Sequence, residues 1–267
     1  MYAREWSVVS REIVCSFAAL DVISEALRID VRRFPFAIQH YSATREDRVR
    51  LAEAVHRDLS NRGLAHGEGF APDLVVALHL FARGPLAIAL VGTAGDTQPV
   101  ALAAADDRTG VVAVQHGESI EFWLCQPDAV ARGLVGLLPV MRPGPGASVT
   151  VTDASAPARG QPVEEDFSDL TFTTKVKAPA PLSGSQQAAA EEILRRPRLG
   201  AGYFLVTARG RNDQESALGT INYLDTDIGR YAVIPTTEPD GRMAVTYTPT
   251  DQTGLDRHLT KIADSHR

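Results

Sequence analysis

Asp225 and Asp227, followed at once by Arg230, form the one carboxylate cluster in the sequence whose spacing suits chemistry. Two hard oxygen ligands on a turn suit a divalent cation, and a carboxylate beside a guanidinium suits proton transfer. Little else supports either use. The seven histidines (His40, His56, His66, His79, His116, His258 and His266) never form the His-Glu-x-x-His pattern of a metallohydrolase helix. No G-x-S-x-G elbow presents a strained serine, and no G-x-x-x-x-G-K-[ST] loop cradles a phosphate. Gly200-Ala201-Gly202 precedes a predicted strand instead of opening a helix, so it is no dinucleotide fingerprint. Cys125 has no adjacent cation to make a thiolate of it. Turn capping is the reading that the Asp225/Asp227 cluster favours. A small-molecule or metal-dependent enzyme using Asp225, Asp227 and Arg230 stays open as the alternative.

The capping reading rests on a repetition. Asp106-Asp107-Arg108-Thr109-Gly110-Val111-Val112-Ala113-Val114 and Asp225-Thr226-Asp227-Ile228-Gly229-Arg230-Tyr231-Ala232-Val233 share the pattern Asp-x-x-x-Gly-x-x-Ala-Val. Each reads as a hairpin corner. The Asp accepts backbone N–H groups of the turn, Gly takes positive φ, and an apolar strand leaves. The surroundings repeat as well. A helix opened by Pro72 precedes strands at 86–91, 100–105, 111–115 and 120–125, and a second Pro-led helix at 127–138 closes the unit. A helix at 185–196, capped by Ser185, precedes strands at 203–208, 218–224, 231–234 and 243–247. There Pro249 opens a last helix with Leu255, Leu259 and Ile262 on one face.

Ahead of the doubled unit, a strand at 7–15 leads to a helix capped by Ser16, with Leu20, Ile23 and Leu27 as its stripe. Phe34-Pro35-Phe36 breaks the pattern, and Thr44 starts a second helix that Gly63 ends in the left-handed region. The stretch 139–184, with Pro143-Gly144-Pro145-Gly146, Glu164-Glu165-Asp166 and possible strands at 148–151 and 170–176, reads as a mobile linker. The expected fold is α+β: a central antiparallel sheet with flanking helices, in one domain, 1–267. Its quasi-two-fold repeat (helix–four strands–helix twice) has halves near 72–138 and 185–264.

Strand alternation leaves one question open. Leu86, Ile88 and Leu90 oppose Ala87, Ala89 and Val91, and neither set is polar; Ile120, Phe122 and Leu124 oppose Glu121, Trp123 and Cys125. Either both sheet faces are covered internally, or part of one face is a docking surface.

The chain has 267 residues, 44% hydrophobic and 22% charged, the composition of an ordinary globular protein. A net charge of −6 argues against a nucleic-acid partner, which demands a basic stripe. No apolar run approaches the roughly 20 residues of a bilayer span, and the start Met1-Tyr2-Ala3-Arg4-Glu5-Trp6 does not read as a signal peptide. Cys15 and Cys125 read as buried thiols of a reducing compartment.

Several segments, taken in order, resemble the EspG family of type VII (ESX) secretion-specific chaperones. Thr220-Ile221-Asn222-Tyr223-Leu224-Asp225-Thr226-Asp227-Ile228-Gly229-Arg230-Tyr231 is similar to that family's hydrophobic-D-T-x-x-G-R-hydrophobic corner, and Met243 to Pro249 to its last strand and Pro-led helix. Leu59 to Leu64, Leu137-Leu138-Pro139 and Leu199 to Phe204 are further family-like pieces. The resemblance implies a cytoplasmic, non-enzymatic chaperone without cofactor or metal, with a quasi-two-fold α/β fold. Its partner would be a PE–PPE heterodimer bound through the PPE tip, with no nucleic acid and no membrane insertion, and a weak homodimer as a further possibility. By the same resemblance the 92–98 corner is a contact loop, giving Thr93, Asp96 and Gln98 as partner-binding residues. Trp123 and Tyr223 are candidate aromatic anchors, and Asp225, Asp227 and Arg230 complete the expected contact set.

Overall fold

The computed structural model describes residues 13–42, 44–67, 69–152, 184–210, 212–238 and 241–265. Strand β1 (Ile13–Ser16) runs directly into helix α1 (Phe17–Leu27), whose first turn is capped by the Ser16 hydroxyl accepting from the Ala19 amide. Of the expected strand at 7–15, residues 13–15 fall in β1 and the rest lie outside the described residues. Helix α2 (Arg45–Asn61) starts at Thr44, whose hydroxyl accepts from the Asp47 amide, and Gly63 beyond it takes φ 68° as expected. A two-residue hairpin, β2 (Ala65–His66) and β3 (Gly69–Phe70), leads to α3 (Pro72–Arg83), with Pro72 in its first turn.

Four strands follow: β4 (Leu86–Ala94), β5 (Val100–Ala105), β6 (Gly110–His116) and β7 (Ser119–Cys125). The expected helix at 127–138 is shorter, a 3-10 turn at Pro127–Ala129 and then α4 (Val130–Val135). After it come β8 (Val149–Thr152), α5 (Gly184–Arg195), β9 (Arg198–Arg209), β10 (Glu215–Thr226), β11 (Gly229–Thr237), β12 (Met243–Pro249) and α6 (Gln252–Asp264). Pro249 does not open α6. It ends β12, and Asp251 caps the helix by accepting from the Gly254 amide. The side chain of Ser185, the expected cap of α5, lies outside the described ones.

The strands form one antiparallel sheet of ten, in the order β1-β7-β6-β5-β4-β9-β10-β11-β12-β8. Each run of four consecutive strands is a meander, and the two meanders join where β4 pairs with β9, from Leu86↔Ala208 to Ala94↔Gly200. With helices on its faces this is the expected α+β architecture. The stretch 139–152 departs from the linker reading. Pro143 bridges to Arg230, Gly144 lies against the Tyr231 ring, and β8 pairs with β12 at the sheet edge. The expected strand at 170–176 lies outside the described residues.

Alternation sorts the core into two layers. Ala87, Ala89, Leu102, Ala104, Val111, Ala113, Ile120 and Phe122 face α1, α2 and α3. Ile88, Leu90, Ala101, Ala103, Val112, Phe204, Val206, Ile221 and Tyr223 face α4 and α6. This is why neither strand set is polar: both faces of the inner strands are covered. On the α1–α3 side, α5 covers Leu224 and Tyr231 through Ile193. Between them Val91, Tyr203, Leu205, Thr220, Asn222 and Pro235 stay half-buried. The inner strands are thus covered on both faces, while this patch of one face is only partly covered.

The segment between α1 and α2 is fixed by one carboxylate. Asp21, on α1 and 1% exposed, accepts from Arg32 at 2.7 Å, from the Tyr41 amide at 3.3 Å and from Arg48 of α2. Burial alone would raise its pKa, but the Arg48 and Tyr41 hydrogen bonds, with the charges of Arg48 and His40, hold it below the ordinary aspartate value. A carboxyl lowered by folding stabilises the native state above its unfolded pKa near 4, and that stability is lost as pH falls through the folded value. Asp21→Asn is expected to cost about 1–3 kcal/mol at pH 7, because Arg32 and Arg48 keep water contact. It should also flatten the loss of stability below about pH 4. Urea melts of both proteins at pH 7 and pH 3 measure this; equal acid sensitivity would refute it.

Candidate interaction rim

One end of the sheet gathers the loops that the resemblance singles out. β4 ends there, β9 begins there, and β10 turns into β11 there. The β4–β5 loop is tied to the start of β9 by the Gly95 amide donating to the Leu199 carbonyl at 2.8 Å. The β10–β11 corner is tied to the same stretch by the Asp227 amide donating to the Pro197 carbonyl and by the Asp227–Arg196 ion pair at 3.1 Å. Thr93, Asp96, Gln98 and Asp227 are all exposed on this rim. Leu199 stands 49% exposed among them and Leu194 of α5 is 38% exposed. Sequence reasoning missed both. Of the adjacent apolar pair Ile193 and Leu194 on α5, Ile193 alone is buried.

Three of the expected contacts are corrected by burial. Tyr223 is 1% exposed, and its ring lies against the backbone of Gly92 and Gly202. Its hydroxyl donates to the Thr93 carbonyl at 2.9 Å, so it is a core residue and no surface anchor. Burial pushes its phenol well above the usual value. Asp225 and Arg230 form a fully buried, two-pronged ion pair, with Nε to Oδ1 at 2.6 Å and Nη2 to Oδ2 at 2.8 Å. Neither side chain presents surface to a partner or an open ligand position to a cation. The turn does not bring two free carboxylates together: the Asp225 oxygens are occupied by Arg230, and Asp227 pairs with Arg196.

The two corners with the shared pattern turn differently. In the first, Asp106 caps as expected, accepting from the Arg108 and Thr109 amides at 2.8 and 2.7 Å. Gly110 there does not adopt left-handed φ. A Cβ at Gly110 would sit 2.5 Å from Val130 of α4, so helix approach demands the glycine. In the second, Thr226 pairs with Gly229 across a shorter turn, Gly229 takes φ 139°, and Asp225 spends its carboxylate on Arg230.

Trp123 stands apart from the rim. It pairs with Val112 at the level of Ile88, six residues along β4 from Ala94, or about 20 Å. It is half-buried, and its indole N–H donates to the largely buried Glu121 at 2.7 Å. Elsewhere, a cleft of about 270 Å³ lies between the α1–α2 segment and the sheet, lined by Arg33, Phe34, Ala89, Leu102, Leu205, Thr207 and Glu215. Its ionisable groups are paired: Arg33 donates to Glu215 at 2.7 Å, and Thr207 and Arg209 hold the same carboxylate. The thiols are equally unsuited to nucleophilic chemistry, burial pushing Cys15 up to about 12 and Cys125 up to about 11. Among the described residues no group of three or more His, Cys, Asp and Glu could hold a metal ion.

Comparison with known proteins supplies what geometry alone does not. The model of the EspG family matches residues 16–261. The chain belongs to the EspG family. No curated protein matches it. Among solved structures, this EspG family member is similar to the Mycobacterium tuberculosis type VII secretion system chaperone EspG5, solved in complex with a PE25–PPE41 dimer. The TM-score is 0.59 at 13% identity, over 95% of this chain and 96% of that one, a likeness of fold. No helix among the described residues is long and apolar enough to cross a membrane.

Two substitutions separate the buried from the exposed half of the corner motif. Arg230→Ala strands the Asp225 carboxylate and is expected to cost on the order of 3–5 kcal/mol. Asp227→Asn, which breaks only an exposed pair, should cost under about 1 kcal/mol. Chemical denaturation checks both, and Mg²⁺ or Ca²⁺ titrated calorimetrically into the wild type should give no binding heat.

Proposed function

We propose that this EspG family member is a cytoplasmic chaperone that binds cognate PE–PPE heterodimers through the PPE tip, keeps them soluble and directs them to a type VII (ESX) secretion system. The observation that carries this reading is the family match across residues 16–261. The complex in which EspG5 was solved supports the choice of partner class. The physical case is consistent with it. A helical bundle with an apolar tip self-associates unless it is covered, and a rigid sheet end with exposed leucines can cover it without ATP or bond chemistry. Paired carboxylates and protonated thiols favour a binding role over an enzymatic one.

On this reading the rim residues Thr93, Asp96, Gln98 and Asp227 set polar specificity around Leu194 and Leu199. Such a complex would bury on the order of 1,200–2,000 Å². The units 72–138 and 185–264, each carrying one meander, are read as quasi-two-fold halves of one domain, joined where β4 pairs with β9.

Co-expression with PE–PPE pairs, followed by size exclusion with light scattering, is expected to give a 1:1:1 complex with the cognate pair. Leu199→Asp combined with Gln98→Ala should weaken that complex at least 10-fold, about 1.4 kcal/mol, with an unchanged melting temperature. Failure to bind every pair tested, or self-association that excludes the client, would overturn the reading.

A further inference from the structure

The family-like corner Leu224-Asp225-Thr226-Asp227-Ile228-Gly229-Arg230-Tyr231 contributes only Asp227 and Ile228 to the surface, so most of the motif is doing something other than touching a partner. With Tyr223, which precedes it on β10, its buried members reach two segments outside the corner. The Arg230 side chain donates to the Pro139 carbonyl at 3.0 Å, while its backbone accepts from the Gly144 amide and donates to the Arg142 carbonyl. Asp225 fixes the guanidinium from the neighbouring strand. The guanidinium carbon sits 5.8 Å from the centre of the Tyr223 ring, and the Tyr223 hydroxyl donates to the Thr93 carbonyl at the root of the β4–β5 loop. One continuous buried chain thus links 139–144, the β10–β11 corner and the loop that carries Asp96 and Gln98.

We propose that Tyr223, Asp225 and Arg230 are positioning residues for the rim, setting the β4–β5 loop and the 139–144 segment relative to the corner. This rests on the reading of the rim as the partner-contact surface. A hydroxyl-to-carbonyl bond at the loop root limits how far the loop pivots, and a loop held in its bound geometry loses less entropy on docking. The brace acts without touching the partner. Its polar atoms are there because an apolar core at the same place would pack the strands and leave the loop roots free. Gly92 and Gly202 are part of the arrangement: a Cβ on Gly92 would lie 2.4 Å from the Tyr223 hydroxyl, and one on Gly202 would lie 2.7 Å from the ring.

Because Arg230 and Asp225 variants risk unfolding, Tyr223→Phe is the test. It removes one oxygen and keeps the ring. The control is Phe204→Leu, a change at a fully buried ring 6.0 Å from Tyr223 that loosens the same core and leaves the hydroxyl alone. Hydrogen exchange is read at the Ala94 and Thr97 amides, each of which donates to the other's carbonyl across the loop root. Affinity is read for the PE–PPE heterodimer that the wild type binds. Tyr223→Phe is expected to speed those amides and weaken binding, each on the order of 3- to 10-fold, the worth of one hydrogen bond. Phe204→Leu should lower the melting temperature at least as much and change neither. Wild-type exchange in Tyr223→Phe, or equal effects from Phe204→Leu, overturns the brace. If the wild type binds no PE–PPE pair, the partner reading fails, while the exchange comparison still decides whether the hydroxyl positions the loop.

Discussion

Everything at the rim depends on how closely β4 approaches β9. Among the described residues that ladder is the one strand pairing between the two meanders, and its rim end is built without side-chain bulk. Gly92 faces Gly202, and Gly200 faces Ala94; a Cβ on Gly200 would sit 2.6 Å from the Thr93 carbonyl. Two backbones in such contact leave room above them for one large ring, and Tyr223 fills it. The join therefore does two jobs with the same atoms. It makes ten strands one sheet, and it brings a loop from the first meander within hydrogen-bonding reach of a strand from the second.

Much of the architecture was legible because it rests on local rules. Ser16 and Thr44 read as helix caps and act as caps; Pro72 reads as a first-turn proline and sits in the first turn. Strand β5 has the bounds that alternation predicts, while β9 to β11 run longer than their apolar cores because Gly, Thr and Arg extend pairing where no burial is needed. Pro249 misled for the opposite reason. A proline tolerated at the end of an edge-proximal strand resembles one that starts a helix, and the true signal, Asp251, lay two residues on.

The candidate site was legible as a location and not as a list. Thr93, Asp96 and Gln98, which the family resemblance singled out, lie with Asp227 where loops converge. Tyr223, Asp225 and Arg230 looked like surface chemistry because charged and phenolic groups usually face water. The hairpin register sets the carboxylate opposite the guanidinium, and only tertiary packing buries the pair, where each offsets part of the other's cost of desolvation. Leu194 and Leu199 failed in the converse way, since an exposed leucine has no signature distinct from a buried one. The paired pattern at 106 and 225 adds a caution: identical spacing produced a capped four-residue loop in one place and a tight corner with a buried ion pair in the other.

The position of β9 in the chain has a consequence for biosynthesis. β4 is complete at Ala94, but the strand that covers its outer side begins only at Arg198. During translation the first meander therefore leaves the ribosome with Ile88 and Leu90 on an unpaired edge, the arrangement most prone to pairing with a neighbouring nascent chain. Arg33 waits longer still, since its Glu215 partner is made 182 residues later. The first meander thus keeps that edge open until the second half of the chain is synthesised.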